Sequence, residues 1–348
     1  MKLIYGICGE GNGHGVRSLP LIQHLQKKHD VRVFAGDCAF PILQKCKHVR
    51  KTKSLRIIYR NNSVSNLSSF LYNIAFVPVH LVCFTRVFVE MLYFRPNIVV
   101  SDFEWFTNWS AFLLGIPVIT VDNQQFIRTH IQIPAQTRLS YLKTRLVMLL
   151  ISPHVTTALI PTISTTPSLK KNQVYAQPTL KQEVKHAKPL DKRTFFVYQT
   201  SDSNNELLEL LQKLPHKFIV NGFHRKDVVG NCVFRTFDAT RFVEDIRSCT
   251  AIITNGGFSL MTEALYLGKP VLSIPVKSQF EQELNASYLG KEGFGMSASK
   301  LTAEIMQEFV RKLPQFRKAI HEHNKQNKNV PTLLEALTAA IKKHERKA

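Results

Sequence analysis

One rhythm constrains this chain more than any other feature, and it runs twice. Short apolar runs stand at residues 3–8, 31–35, 57–59, 98–101, 118–121 and 155–160, and longer amphipathic stretches separate most of them. Runs that are apolar without alternation suit strands covered on both faces, and a helix between them supplies the crossover that parallel strands need. The pattern predicts a parallel α/β sheet. It lapses over residues 161–192, which are rich in Pro, Thr, Ser and Lys, and restarts at 195–199, 218–220, 233–234, 251–254 and 271–274. We therefore expect two α/β domains, residues 1–160 and 193–330, a linker over 161–192, and a C-terminal amphipathic helix with a basic tail over 331–348. A length of 348 residues suits two domains of ordinary size.

Two such halves facing a central cleft would hold ligands at the carboxyl ends of their strands. The segments that follow strands are therefore where chemistry is expected. The first is Gly9-Glu10-Gly11-Asn12-Gly13-His14-Gly15, ahead of a helix. Its glycines let a backbone approach a ligand, and a helix start favours an anion. The dinucleotide spacing G-x-G-x-x-G fails, because His14 stands three residues after Gly11 and Val16 three after Gly13. Asp37 would be the ribose acid of such a site. His14 can act as a general base, since imidazole titrates near neutral pH, or it can merely cap the helix. Asp102, at the end of the run 98–101, can orient His14 or cap the next helix, and Glu104 competes for the first role.

A third segment is the most informative. Residues 251–254 lead into Asn255-Gly256-Gly257-Phe258-Ser259, with Thr262 and Glu263 further along the same helix. A Gly-Gly turn at a helix start offers free N–H groups to a diphosphate. Glu263, about two turns in, can accept hydrogen bonds from the two hydroxyls of a ribose. Gln279, Glu281 and Gln282 follow the next strand and suit sugar hydroxyls.

This segment resembles the donor site of GT-B glycosyltransferases, in particular the UDP-glycosyltransferases and the N-acetylglucosaminyltransferase of lipid II synthesis. Gly256, Gly257, Thr262, Glu263, Gly268, Pro270, Gln282, Asn285 and Ala286 match that pattern, and Glu281 stands where many members carry Asp. Residues 11–17 are similar to the family's N-terminal glycine loop with its His, and Asp102 stands where some members keep an Asp paired with that His. There are departures. Residues 200–204 carry no glycine where the family turns on Gly-Ser, and the Trp-containing signature ahead of the Gly-Gly turn is absent.

The resemblance implies a fold of two Rossmann-like domains and transfer of a sugar from a nucleoside diphosphate, UDP by family majority, to an acceptor hydroxyl with inversion. It implies His14 as base with Asp102 behind it. Gly13, Thr200, Ser201, Phe237, Gly256, Gly257, Phe258, Ser259, Thr262, Glu263, Gln279, Glu281 and Gln282 would hold the donor. No DxD motif stands in these loops, so no cofactor and no essential metal are expected.

Charge bears on the partners. Lys and Arg number 46 against 25 Asp and Glu, a net charge of +21, and such a field attracts anions. The apolar stretches 70–94 and 141–151 carry Arg86, Lys143 and Arg145, with Arg95 adjoining. Each reads either as an ordinary core helix or as an interfacial surface. The longest, 70–85, is broken by Asn73, Pro78 and His80, short of a spanning helix. The expectation is a cytoplasmic enzyme, peripheral on the inner membrane face, with a lipid-linked or glycan acceptor and no nucleic acid. Six cysteines without CxxC or zinc-like spacing read as reduced thiols, and residues 2–8 read as a buried strand rather than a leader. Two other readings remain: a nucleotide-sugar 2-epimerase of the same architecture, and a basic nucleic-acid-binding module.

Overall fold

The computed structural model describes residues 1–60, 63–129, 138–163, 169–199, 205–277 and 279–345. Along the chain run β1 (Lys2–Ile7), α1 (Gly13–Leu25), β2 (Asp30–Ala35), α2 (Ala39–Leu43) and β3 (Val49–Lys51). A short hairpin, β4 (Tyr59–Arg60) and β5 (Ser63–Val64), precedes α3 (Asn66–Ala75) and α4 (Val77–Phe94). Next come β6 (Ile98–Asp102), α5 (Trp105–Leu113), β7 (Val118–Thr120), a 3₁₀ turn (Asn123–Arg128), α6 (Arg138–Ile151), β8 (Thr157–Pro161) and β9 (Gln173–Ala176). Then follow α7 (Gln182–His186), β10 (Thr194–Tyr198), α8 (Asn205–Lys213), β11 (Lys217–Asn221), β12 (Val228–Val229) and β13 (Cys232–Arg235). The remainder is α9 (Ala239–Ser248), β14 (Ala251–Thr254), α10 (Phe258–Tyr266), β15 (Val271–Ser273), α11 (Phe280–Lys291), β16 (Gly295–Ser297), α12 (Ala303–Gln326) and α13 (Leu333–Glu345).

The chain forms two compact units. One comprises Met1–Ile58, Asn66–Thr179 and Val330–Ala348, and the other Tyr59–Ser65 and Leu180–Asn329. The sheet of the first has the order β3-β2-β1-β6-β7-β8-β9, parallel throughout. Its two faces explain the unbroken apolar runs. Leu3, Tyr5 and Ile7 of β1 face a core closed by α1 and α13, while Ile4 faces Val99, Phe106, Met91 and Phe94 on the other side.

The second unit repeats the design, with the order β12-β13-β11-β10-β14-β15-β16, parallel except for β12. In both sheets the strand order reverses beside the first strand, at β1/β6 and at β10/β14. In doubly wound folds that reversal is where ligands bind.

Three local expectations need correction. Residues 57–59 do not enter either large sheet; only Tyr59 pairs, in the two-stranded hairpin β4–β5. The stretch 161–192, expected as a linker, contains the edge strand of the first sheet, Gln173–Ala176. The stretch 70–85 belongs to two helices, and α4 has the 18-residue length and apolar composition of a membrane span.

Candidate active site

Strand β1 ends against β6 in a register that sets Ile7 beside Asp102, and the Cys8 amide donates to the Asp102 carbonyl at 2.9 Å. The glycine loop therefore leaves the sheet directly above Asp102. Gly9 packs hard against the end of β2: a Cβ there would lie 2.3 Å from the Asp37 amide nitrogen. This glycine is demanded by chain crossing. Asp37 itself pairs with Lys53 at 3.5 Å.

His14 stands in the first turn of α1, and its Nδ1 lies 2.8 Å from Asp102 Oδ1. Arg17 and Ser18, three and four residues on, share that helix face. Arg17 Nε and Ser18 Oγ donate to Asp102 Oδ2 at 2.8 and 2.9 Å, and Arg17 Nη2 also bonds Oδ1. Burial pushes the Asp102 carboxyl up, but the Arg17 guanidinium and then His14 hold it well below the usual carboxylate range. An ionised Asp102 can only accept, so in the neutral ring Nδ1 carries the proton and Nε2 the lone pair. Nη2 of Arg17 lies 2.9 Å from the same Nδ1, which cannot accept while it donates to Asp102. Arg17 therefore acts on the carboxylate.

The two neighbouring carboxylates have other tasks. Glu104 caps α5, accepting from the Phe106 and Thr107 amides at 3.0 and 2.7 Å. That removes it from competition for His14 and relieves Asp102 of capping. Phe103 makes the turn between them with φ +54, and its ring stacks on His14 at 6.3 Å between centroids. Asp122 follows the neighbouring strand and caps the 3₁₀ turn, accepting from the Gln125 amide at 3.2 Å, and is pushed up to about 6 by burial and by the charge of Asp102. One carboxylate held down beside one held up is the pattern by which a site separates acid and base roles.

In the second unit β14 runs into Gly256, whose φ of +98 suits only glycine. A Cβ there would sit 2.8 Å from Ser273 Oγ, whereas one on Gly257 would meet nothing within 4 Å. Gly257 caps α10 by its backbone with open space at its own Cβ position; behind it Phe258 is buried and Ser259 exposed. Asn285 Nδ2 donates to the Gly256 carbonyl at 3.0 Å and Asn255 Nδ2 to Gln199 Oε1 at 2.9 Å, and both fix the turn.

Several expected donor contacts have structural partners. Gln282 Oε1 accepts from the Val276 amide at 2.9 Å, and Thr262 Oγ1 donates to the Ser259 carbonyl at 2.8 Å. Gln279 precedes α11 and Glu281 lies in its first turn, both half-buried. Phe237 is 62% exposed, with its ring 5.5 Å from that of Phe242. Thr200 and Ser201 lie outside the described residues.

Glu263 is buried at 4% exposure and is not alone. Lys181 Nζ approaches its Oε1 at 3.1 Å and lies 5.4 Å over the Phe242 ring. Burial pushes the Glu263 carboxyl up, and Lys181 opposes that. The structure thus brings His14 together with Asp102, and sets Glu263, paired with Lys181, in the helix that Gly257 caps. Sequence reasoning missed Arg17, Ser18 and Lys181. The helical spacing from His14 could have found the first two, whereas nothing in the sequence ties Lys181 to a residue 82 positions away.

Two doubly wound units have the architecture of a GT-B glycosyltransferase; one carries His14, half-buried after β1, against the buried Asp102 at the end of β6, and the other carries a Gly-Gly helix start. Residues 1–314 match the sequence pattern of Glycosyl transferase family 1, and the chain belongs to that family. It is 24% identical over 346 residues to an uncharacterised glycosyltransferase of Methanosarcina mazei, covering 91% of both chains. A second, from Methanosarcina acetivorans, is 24% identical with 90% of both covered. Among solved structures, spinosyn forosaminyltransferase SpnP superposes with a TM-score of 0.68 at 14% identity, covering 99% of both chains. Glycosyltransferase VinC in complex with dTDP gives 0.66 at 15%, covering 99% of this chain and 100% of that one.

Proposed function

We propose that this glycosyltransferase moves a sugar from a pyrimidine nucleoside diphosphate, UDP first, to an acceptor hydroxyl, with inversion and with His14 as general base. The acceptor oxygen bonds the anomeric carbon as Nε2 of His14 takes its proton. The carbon–oxygen bond to the diphosphate breaks, and the diphosphate leaves with the electron pair. Asp102 orients the ring and stabilises the imidazolium that forms. The N–H groups of Gly257 and Phe258 at the start of α10 meet charge developing on the leaving diphosphate. Glu263 takes the ribose hydroxyls after Lys181 gives way. This assigns no step to a metal.

The observation that carries the reading is the open helix start beside Gly257 with Glu263 in the same helix. Resemblance to UDP-dependent transferases favours uracil, while VinC and spinosyn rhamnosyltransferase SpnG were solved with thymidine diphosphate, so both belong in the test. The acceptor we propose is lipid-linked.

A thermal-shift panel of nucleoside diphosphates and their sugars tests the donor. UDP or dTDP should raise Tm, Glu263→Ala should abolish that shift, and His14→Ala should keep it. Loss of the base should lower kcat by about 10²–10⁴-fold. Normal turnover by His14→Ala would refute the base, and a nucleotide shift that survives Glu263→Ala would refute the ribose contact.

A further inference from the structure

On one side of the first sheet α4 packs on α5 and α5 on α6, with α3 beside α4. Trp109 Nε1 ties α5 to the Leu150 carbonyl of α6 at 2.5 Å. The inward stripe of α4 is fixed: Val87, Met91 and Phe94 lie in the core against Ile4, Phe34 and Val99. Glu90 on that stripe is buried and held by Arg32 and by Arg50 at 2.6 Å. A helix whose inward stripe lies in the core, with its buried carboxylate tied to two half-exposed arginines, is held in the fold rather than free to span a bilayer.

The outward faces are apolar where a solvated surface is expected to be polar. Phe70 is 62% exposed, Val82 68%, Tyr93 83% and Leu146 59%, with Ile74 and Leu149 also exposed. Soluble monomers rarely expose contiguous apolar patches beyond a few hundred Å², and larger ones mark interaction sites. The charges on this face have one sign. Arg86, Lys143 and Arg145 are exposed, and the only acid in α3, α4 and α6 is the buried Glu90. Long cationic stems can lie along apolar surface and carry their charges to a headgroup layer.

We infer that the outer face of α3, α4 and α6 docks in the plane of an anionic lipid bilayer, with apolar side chains entering the acyl boundary and Arg86, Lys143 and Arg145 meeting lipid phosphates. A protein partner would need acidic complements to three cations. A second copy of this chain would set like charges against each other across an isologous contact. The inference deepens the lipid-linked acceptor reading and stands independently of the donor.

The test is co-sedimentation of the intact chain with phosphatidylcholine vesicles, with and without phosphatidylglycerol. The wild type should pellet with the anionic vesicles, and added salt should weaken it. Lys143→Gln with Arg145→Gln should lower the partition coefficient by about fivefold per charge. Phe70→Ser with Leu146→Ser should lower it more. The thermal shift by UDP or dTDP should persist in both variants, which shows that they fold and that lipid docking fails or succeeds apart from donor binding. Partition that ignores phosphatidylglycerol, or that survives both double variants, would overturn the inference. So would a concentration-dependent dimer abolished by Phe70→Ser with Leu146→Ser in a chain that pellets with neither vesicle.

Discussion

Asp102 owes its ionised state to Arg17, and the assignment of His14 as a base rests on that state. A guanidinium bonding both carboxylate oxygens keeps the acid an acceptor, so the imidazole tautomer is fixed. Replacing Arg17 by Gln should therefore lower kcat by roughly tenfold or more while nucleotide Kd stays unchanged, because Arg17 acts on the Asp102 carboxylate of the dyad. Equal loss in kcat and in nucleotide affinity would contradict this. Asp122 gives a second prediction, on stability. Its carboxyl is raised from 3.8 to about 6, so the stability linked to its neutral form is whole below pH 3.8 and is lost as pH rises through 6. Asp102 works in the opposite sense, its contribution lost as pH falls below the ordinary carboxylate range. Asp122→Asn should remove a decline on the order of 2–3 kcal/mol between about pH 4 and pH 6 in urea unfolding. An unchanged pH profile would mean that Asp122 ionises freely. At this scale the sequence made His14 and Asp102 legible, because a glycine loop and a strand end mark them. Arg17 and Lys181 were not legible, because long cationic side chains are placed by tertiary packing, and 46 of them offer no local mark.

The start of α10 shows how two adjacent glycines can serve different ends. Gly256 has a left-handed backbone and no room for a Cβ, so Gly256→Ala should cost about 1–3 kcal/mol and lower Tm. Gly257 has an ordinary backbone and open space, so Gly257→Ala should leave Tm nearly unchanged and weaken UDP or dTDP binding. If both substitutions act only on Tm, the helix start is a packing device and holds no diphosphate. Glu104→Ala should cost about 1–2 kcal/mol as the loss of a buried N-cap. Of the elements, the long apolar strands were legible and the edges were not. Val49–Lys51 reads Val-Arg-Lys and Gly295–Ser297 reads Gly-Met-Ser, so neither has the β-branched run that marks a strand. Gln173–Ala176 lies in a Lys- and Pro-rich stretch, and only pairing with β8 makes it a strand. Residues 57–59 fail in the other direction: a short apolar run is not sufficient to place a strand in the large sheet, and only Tyr59 pairs, in a two-stranded hairpin.

For the whole molecule, the restart of one pattern after another was enough to predict two α/β units, because crossover helices leave the same imprint each time. The fate of the C-terminal helix was hidden. α13 returns to the first unit, where Leu333, Leu337 and Ile341 enter the core with β1 and β2, and no local pattern states which of two similar units a helix will cover. Deleting residues 331–348 should destabilise the first unit by about 5 kcal/mol or more, from three buried aliphatic side chains at ~1.5–3 kcal/mol each. Calorimetry should show that loss as a lowered transition, and an unmoved profile would place the helix outside the core. Hydrogen exchange of the intact chain in saturating UDP or dTDP tests the donor assignment most directly. The account predicts slowed exchange at the backbone amides of residues 256–259. Amides there exchanging at the ligand-free rate, with protection confined to residues 9–18, would contradict it and move the nucleotide to the first unit.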